Sequence, residues 1–161
     1  MKNIEIFEAI SGLLFADLYE QFPLPSDIDP SELALRLGDD YWNESLQPLD
    51  EDGRDNAYIR HKSPSGLARP TVDWLANSGF ITHRGFANGT FAKVCLTAKG
   101  LEAIRSETGR ENRLLEAAKQ AVEGAAKDTA RKELQMVFSE IVAWSVRNTA
   151  TLIHSTTGFG S

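Results

Sequence analysis

The dipeptide Asn88-Gly89 lies between two runs of strand-forming residues, 80–86 and 90–96, and it constrains the fold more than any other feature of the chain. Asn-Gly is favoured in two-residue hairpin turns, in which both residues need a positive φ. A turn of fixed length also fixes which residues face each other, because side chains alternate between the two faces of a strand. The sequence therefore predicts a β-hairpin centred on this dipeptide.

The register of this hairpin predicts which side chains reach the core. Ile81 pairs with Leu96, and both share the expected core side with Val94. Arg84 and Lys93 stand opposite each other on the other face. Like charges that face each other are mildly destabilising, so an anionic partner is one explanation for the pair, and extension of both side chains into water is the other. The residues expected on the exposed face are Arg84, Lys93, Phe86 and Phe91.

A helix is predicted before the hairpin, over residues 63–78. Ser63 is its expected N-cap, and Gly79 stands where a glycine ends a helix in the left-handed conformation. Pro70 falls inside it and removes one hydrogen bond, which predicts either a kink or a later start. After the hairpin, Thr97 is the expected N-cap of a further helix.

Residues 67–104 resemble the recognition helix, wing and following helix of bacterial winged-helix regulators, broadly of the MarR and PadR type. The residues that carry the resemblance are Leu75, Ser78-Gly79-Phe80-Ile81 and Leu96-Thr97-Ala98-Lys99-Gly100. The rest of the chain is similar only in the order of its helices. The resemblance implies DNA binding through the recognition helix and the wing, usually by a dimer.

The expected fold class is mainly α with a small β-hairpin (α+β), a winged helix-turn-helix with a C-terminal helical dimerisation arm. Residues 1–105 form the expected winged-helix domain, with an insert at 39–56. Residues 106–154 are the expected arm, and 155–161 a flexible tail. The arm carries a broad apolar stripe that either the first helix or another subunit must cover, and a dimer interface ranks first. The predicted interface residues are Leu134, Val137, Phe138, Ile141, Val142 and Trp144.

The N-terminal part predicts a long helix from Asn3 to about Gln21 and a short one that Asp29 or Ser31 caps. Residues 26–30 between them are predicted to form a turn. The insert that follows carries Tyr41 and Trp42. This aromatic pair is expected either to cap the core or to form a partner-binding patch.

Charge is distributed unevenly along the chain. Residues 1–53 hold two Lys/Arg and thirteen Asp/Glu, residues 54–105 hold eight and three, and residues 106–161 hold seven of each. The net charge of −6 argues against a nonspecific nucleic-acid binder. The positive excess nevertheless coincides with the predicted recognition helix and wing, where a groove-binding face needs it. The alternative is that the basic middle pairs with the acidic N-terminal third inside the fold.

Basic and hydroxyl side chains cluster at the start of the predicted recognition helix. Arg and Lys neutralise phosphates, and Ser hydroxyls add hydrogen bonds. Arg69 and Thr71 are candidates for contacts with base edges if this helix enters the major groove. The predicted DNA-binding residues are Arg60, His61, Lys62, Ser63, Ser65, Arg69, Thr71, Arg84 and Lys93.

Motifs of catalysis are missing from the sequence. Three scattered histidines and one cysteine cannot complete a zinc site, and a single cysteine cannot form an internal disulfide. There is no phosphate-cradling glycine motif and no nucleophile elbow. No enzyme activity, metal or cofactor is therefore expected. The apolar runs are too short to span a bilayer and no charged-then-apolar leader precedes them, so a cytoplasmic setting without membrane contact is expected.

The sequence thus predicts a sequence-specific DNA-binding transcriptional regulator that acts as a homodimer on double-stranded DNA. One alternative is a winged-helix protein–protein interaction module without DNA binding, whose acidic N-terminal third or aromatic insert meets a protein partner. Another is a ligand-sensing regulator with a pocket between the first and last helices, for which no residue specifies the ligand.

Overall fold

The architecture follows from a computed structural model that describes residues 2–38, 41–42 and 63–157; for Ser65 and residues 149–157 only the backbone is described. The protein is mostly helical, at 68%, with a small antiparallel sheet of four strands, which confirms the α+β class. The elements are α1 (Asn3–Gln21), β1 (Ser26–Ile28), α2 (Pro30–Leu35), α3 (Pro64–Asn77), β2 (Ile81–Thr82), β3 (Phe86–Ala87), β4 (Thr90–Leu96), α4 (Ala98–Arg105), α5 (Arg110–Glu123) and α6 (Lys127–Thr157).

Helix α1 is buried along most of its length and lies in the middle of the core. Gly12 permits a close approach of α6, since a Cβ at this position would lie 3.0 Å from the carbonyl oxygen of Leu134. The ring of Phe15 lies 5.5 Å from that of Phe138 on α6 and 5.7 Å from that of Phe80. Through these contacts α1 joins the last helix to the region of α3 and the sheet.

Side-chain caps set the starts of three helices. The Asp29 carboxylate accepts hydrogen bonds from the backbone N–H groups of Ser31, at 2.9 Å, and of the next residue. Ser63 and Thr97 each accept from the backbone N–H three residues further on, at 3.0 and 3.1 Å. These bonds satisfy N-terminal amides that have no partner within the helix. The predicted caps at Ser63 and Thr97 are confirmed, and Asp29 rather than Ser31 caps α2.

The hairpin forms as predicted around Asn88 and Gly89. Their φ angles are 55° and 77°, so both adopt the left-handed conformation that this two-residue turn needs. Strand β4 pairs with each of the other three strands. The predicted register is confirmed at both ends of the hairpin, where the observed pairs are Ile81 with Leu96, Thr82 with Cys95, Phe86 with Phe91 and Ala87 with Thr90. The predicted pair of Arg84 with Lys93 is not among them, because the strands are interrupted there and the N–H of Arg84 donates to the carbonyl oxygen of Ala92.

Strand β1 corrects the prediction of a turn at residues 26–30. Ser26 pairs with Val94, and Ile28 pairs with Phe91. A strand of three residues carries almost no periodicity of its own. Its partner lies far along the chain, so no local signal announces the pairing.

Phe91 lies in the core, although alternation predicts it on the exposed face. It is 1% exposed, and its ring centroid lies 4.6 Å from that of Phe86, which is half-buried. The cause is Lys93, which has a φ of 55° inside β4 and interrupts the alternation. Phe91 and Val94 therefore both point inward, while Lys93 stays exposed.

The apolar stripe of α6 is covered by the chain's own first helix. The ring of Phe138 lies 5.3 Å from that of Phe7 and 5.5 Å from that of Phe15. The predicted dimer interface is therefore corrected for its four fully buried residues, because a side chain buried within its own subunit offers no surface to a partner. The fully buried members are Leu134, Val137, Phe138 and Ile141, whereas Val142 and Trp144 are half-buried and pack against the same core.

Polar contacts join the two C-terminal helices to each other and to the segment after α2. The Arg113 guanidinium on α5 forms ion pairs with two residues of α6, Glu133 at 2.8 Å and Glu140 at 3.0 Å. At the start of α6, Arg131 donates a hydrogen bond to the carbonyl oxygen of Leu37, just beyond α2. One hydrophobic core runs through both parts of the chain, so the expected boundary at residue 105 does not separate two cores.

Tyr41 and Trp42 are the described residues of the predicted insert, and both are buried. The indole N–H of Trp42 donates to the carbonyl oxygen of Ala34 at 2.7 Å. The guanidinium of Arg131 lies 5.1 Å from the ring centre of Tyr41, whose pKa is raised by burial. The pair caps the core and is not an exposed patch. The remainder of the insert 39–56 lies outside the described residues.

The end of α6 also departs from the prediction. The helix continues to Thr157, so residues 155–157 of the expected flexible tail are helical. Residues 158–161 lie outside the described part of the chain. Across the residues that the structure describes, none of the helices is both long and apolar enough to cross a membrane.

Candidate nucleic-acid interface

The exposed side of α3 presents a mixed set of side chains. Arg69 and Asp73 are exposed, and Trp74 is 43% exposed. The opposite side of the helix is apolar and packs against α1 and α2. The surface that α3 offers to a partner therefore combines one cation, one carboxylate and one indole ring.

Arg69 reaches from α3 to the hairpin that was predicted to form the wing (residues 80–96). Its guanidinium carbon lies 4.0 Å from the centre of the Phe86 ring, within the range of a cation–π contact. Phe86 is itself held by Phe91 in the core. The contact thus places a positive charge where α3 and the wing meet, and no described carboxylate pairs with it.

The structure corrects the prediction that Thr71 contacts bases. Thr71 is 4% exposed, and its hydroxyl donates to the carbonyl oxygen of Leu67 at 2.6 Å. The position lies on the buried side of α3. The prediction considered the cluster of basic and hydroxyl side chains and not the helical period, which would have placed Thr71 beside the buried residue Val72. Ser63 acts as the N-cap, and of Ser65 only the backbone is described. The predicted residues Arg60, His61 and Lys62 lie outside the described residues.

Arg84 and Lys93 are both exposed, as the hairpin register predicts. Neither forms a salt bridge within the described part of the chain. The backbone N–H of Lys93 donates to a carboxylate oxygen of Asp27 at 3.0 Å, which supports the left-handed conformation of this residue. The wing therefore carries two positive charges that no described carboxylate neutralises.

An open cleft of about 530 Å³ lies beside these two cations, and we refer to it as the outer-face cleft. The sequence did not predict it, because Pro23 and Pro25 precede β1 and reach the hairpin only through the pairing of β1 with β4, which no local pattern signals. It is lined by Pro23, Pro25, Thr82, His83, Arg84, Lys93 and Cys95.

A second cleft, of about 550 Å³, lies between α1 and α5. Its charged lining is mostly acidic and includes the Asp17–Arg36 ion pair, which also borders a smaller acidic cleft of about 180 Å³ at α2. Within the described residues, no basic side chain of residues 63–105 forms a salt bridge with the acidic N-terminal part. The alternative that the basic middle is neutralised internally therefore finds no support there. The carboxylates of the larger cleft are Asp17, Glu20, Glu116 and Glu123.

In the described residues, no group of three or more His, Cys, Asp or Glu side chains is arranged to hold a metal ion. The three histidines include His83, whose Nδ1 accepts the backbone N–H of Gly85 at 2.9 Å. One of the two ring nitrogens of His83 is therefore engaged in a hydrogen bond within the wing.

Comparison of the chain with protein-family models, with curated proteins and with solved structures found no match. The class is accordingly the one that the fold itself defines, a mainly helical α+β protein with a small antiparallel sheet.

Proposed function

We propose that the protein is a sequence-specific DNA-binding transcriptional regulator of the winged-helix type, with α3 as its recognition helix and residues 80–96 as its wing. The element order supports this, because a short helix precedes α3 and a hairpin follows it. The pairing of β1 with β4 supports it further, since it fastens the wing to the segment between α1 and α2.

The observation that carries the proposal is the contact between Arg69 and Phe86. It joins the exposed side of α3 to the wing at a guanidinium group that no described carboxylate neutralises. Arg84 and Lys93 add two such charges on the same hairpin. Unpaired cations along a helix and an adjoining wing fit the two backbones that border a DNA groove. Arg69 is the side chain best suited to a base edge, because arginine binds guanine with two hydrogen bonds.

The test is binding to a mixed pool of duplex DNA, measured by fluorescence anisotropy over a series of salt concentrations. Arg69→Gln is compared with Arg105→Gln, which removes the same charge from an exposed position at the end of α4. We expect Arg69→Gln to weaken binding about tenfold and to reduce the salt slope by about one, and the control to change little.

Substitution of Asp73 gives a second test, in which the expected change in DNA affinity has the opposite sign. Its carboxylate is exposed one helical turn beyond Arg69. If α3 faces DNA, Asp73→Asn removes a repulsion with phosphates and raises affinity. Absence of binding at low salt, or equal effects of Arg69→Gln and Arg105→Gln, would contradict the proposal.

The alternative function is a protein-interaction module without DNA binding. Asp73 and Trp74 favour it, because a carboxylate repels DNA and a tryptophan that is 43% exposed is typical of protein interfaces. On this reading neither the native chain nor Asp73→Asn binds DNA at low salt, and a protein partner loses affinity when Trp74 is replaced by alanine.

A homodimer belongs to the proposal, since two copies read two half-sites of an operator. With its stripe buried, α6 offers other apolar side chains to a second copy. Met136 is 56% exposed and Val146 is 70% exposed. We place the proposed subunit contact on this outer side of α6.

A further inference from the structure

The outer-face cleft lies on the side of the sheet that faces away from the helices. Ile81 and Leu96 form a pair whose side chains are buried beneath the sheet. The next pair is Thr82 with Cys95, and alternation turns both of these side chains to the opposite face. The cleft therefore lies apart from the exposed side of α3, although its cations Arg84 and Lys93 are also the wing charges of the proposed DNA contact.

The positive charges of this cleft form no salt bridge among the residues that the structure describes. Arg84 and Lys93 both line it, and no described carboxylate forms a salt bridge with either. The nearby Asp27 carboxylate accepts the backbone N–H of Lys93 and lines a different cleft. Two like charges that line one cleft repel each other, and an anion bound between them relieves the repulsion.

The neutral groups of the cleft are also suited to an anion. Because Nδ1 of His83 accepts the N–H of Gly85, the ring's proton is assigned to Nε2, the nitrogen left to donate. The His83 ring meets the Phe91 ring at an angle of 66°, with centroids 5.0 Å apart. Thr82 contributes a hydroxyl that can donate as well. The rigid rings of Pro23 and Pro25 form the opposite wall.

We propose that the outer-face cleft binds a phosphate group. A guanidinium, an ammonium, an imidazole N–H and a hydroxyl supply more donors than the two oxygens of a carboxylate require, and they suit the several oxygens of a tetrahedral phosphate. The proposal goes beyond DNA binding, because the cleft would bind free phosphate whether or not α3 contacts DNA. The phosphate belongs either to a small phosphorylated compound or to a nucleic-acid backbone, and the experiment separates these sources.

Cys95 serves as the reporter, because it is the single cysteine of the chain and its half-buried side chain lines the cleft. The rate of its alkylation by iodoacetamide, a neutral reagent, is measured in inorganic phosphate and in sodium chloride of equal ionic strength. For a Kd of about 1 mM, phosphate at about 10 mM leaves roughly a tenth of the sites free. We expect alkylation to slow about tenfold.

Two variants and one control locate the effect. Arg84→Gln removes one cation of the cleft. The phosphate concentration needed for a given protection of Cys95 should then rise about tenfold. Lys93→Asn removes the other, and asparagine tolerates the positive φ of this position. Arg105→Gln loses an equal charge outside the cleft and should keep the protection of the native chain. Circular dichroism confirms that each variant is folded.

A parallel arm adds duplex DNA in place of inorganic phosphate. Protection by inorganic phosphate alone identifies a site for small phosphorylated compounds, and protection by both identifies a contact with the nucleic-acid backbone. Equal alkylation rates in phosphate and chloride, or undiminished protection in Arg84→Gln, would overturn the proposal. Amide chemical shifts provide a second readout, and phosphate should move those of Thr82, His83 and Cys95 specifically.

This experiment and the DNA-binding test fail independently. Anisotropy with Arg69→Gln reports on α3, whereas alkylation in inorganic phosphate with Arg84→Gln reports on the outer-face cleft. If the protein binds phosphate but not DNA, the phosphate site is supported and the proposed function is refuted.

Discussion

The guanidinium of Arg69 on α3 lies 4.0 Å from the ring centre of Phe86 on β3. This contact predicts an energetic coupling between helix and wing that is separate from any ligand. Arg69→Ala, Phe86→Leu and the double variant form a cycle whose coupling, from urea unfolding, should be about 0.5–1 kcal/mol. Strictly additive losses would show that the ring does not hold the guanidinium.

The close packing at Gly12 predicts that replacing it by alanine destabilises the protein, whereas this change usually stabilises a helix. Glycine to alanine inside a helix ordinarily stabilises by about 1 kcal/mol. At this position the new Cβ would lie 3.0 Å from the carbonyl oxygen and 3.2 Å from the Cβ of Leu134. We expect Gly12→Ala to lower the free energy of unfolding by about 1–3 kcal/mol, because α1 and α6 must move apart. The exposed Ser139→Ala serves as control, and a raised Tm for Gly12→Ala would contradict the close contact.

Arg113 predicts a salt-dependent contribution to stability. Hydrogen bonds to Glu140 and Glu133 raise the pKa of Arg113 above its already high ordinary value, so the guanidinium stays charged. The side chain is 37% exposed, which limits each ion pair to about 0.3–1 kcal/mol. Arg113→Ala should cost about 1 kcal/mol in dilute buffer and less in about 1 M salt.

Arg113→Lys is the matched variant for that measurement. Lysine keeps the charge but lacks the planar fork that reaches both carboxylates at once. The free energy of unfolding of Arg113→Lys should lie between that of the native chain and that of Arg113→Ala. A loss that does not depend on salt would assign the effect to packing instead.

Glu8 predicts a pH dependence. Burial, with repulsion from Glu5, raises the pKa of the Glu8 carboxyl above its ordinary value of 4.5. The folded chain then holds this proton more tightly than the unfolded chain. The contribution is complete below the ordinary pKa and is lost as the pH rises through the folded-state value. Glu8→Gln removes it, so the stability of the variant relative to the native chain should increase with pH. A constant difference across acidic and neutral pH would refute the assignment.

The covered stripe of α6 makes different predictions for truncation and for surface substitution. Removal of the chain after Gly109 uncovers α1, so we expect loss of cooperative unfolding and not a folded monomer. Val146→Lys changes only an exposed position, and in sedimentation velocity it should convert a dimer into a folded monomer. A native chain that sediments as a monomer would remove the homodimer from the proposed function.

Local chemistry made much of the fold predictable. Asn88-Gly89 fixed the hairpin and its register, since the turn needs two positive φ angles that few other residues supply. Ser63 and Thr97 marked helix starts, because a cap bonds to a backbone amide only three residues away. The span of α1 followed from helical periodicity alone.

The misses depend on contacts between distant parts of the chain. The pairing of β1 with β4, and hence the outer-face cleft, has no signature within either strand. The burial of Phe91 follows from the left-handed conformation of Lys93, a residue type in which that conformation is uncommon. Whether the α6 stripe meets its own α1 or another subunit cannot be distinguished by periodicity, because both solutions bury the same side chains.

The close packing of Gly12 against Leu134 also bears on how the chain is made. The ribosome synthesises α1 long before α6, so the apolar side of α1 lacks its cover for roughly ten seconds at ordinary rates of translation. During that interval the nascent chain carries the thirteen acidic residues of positions 1–53. Their mutual repulsion opposes aggregation of neighbouring nascent chains.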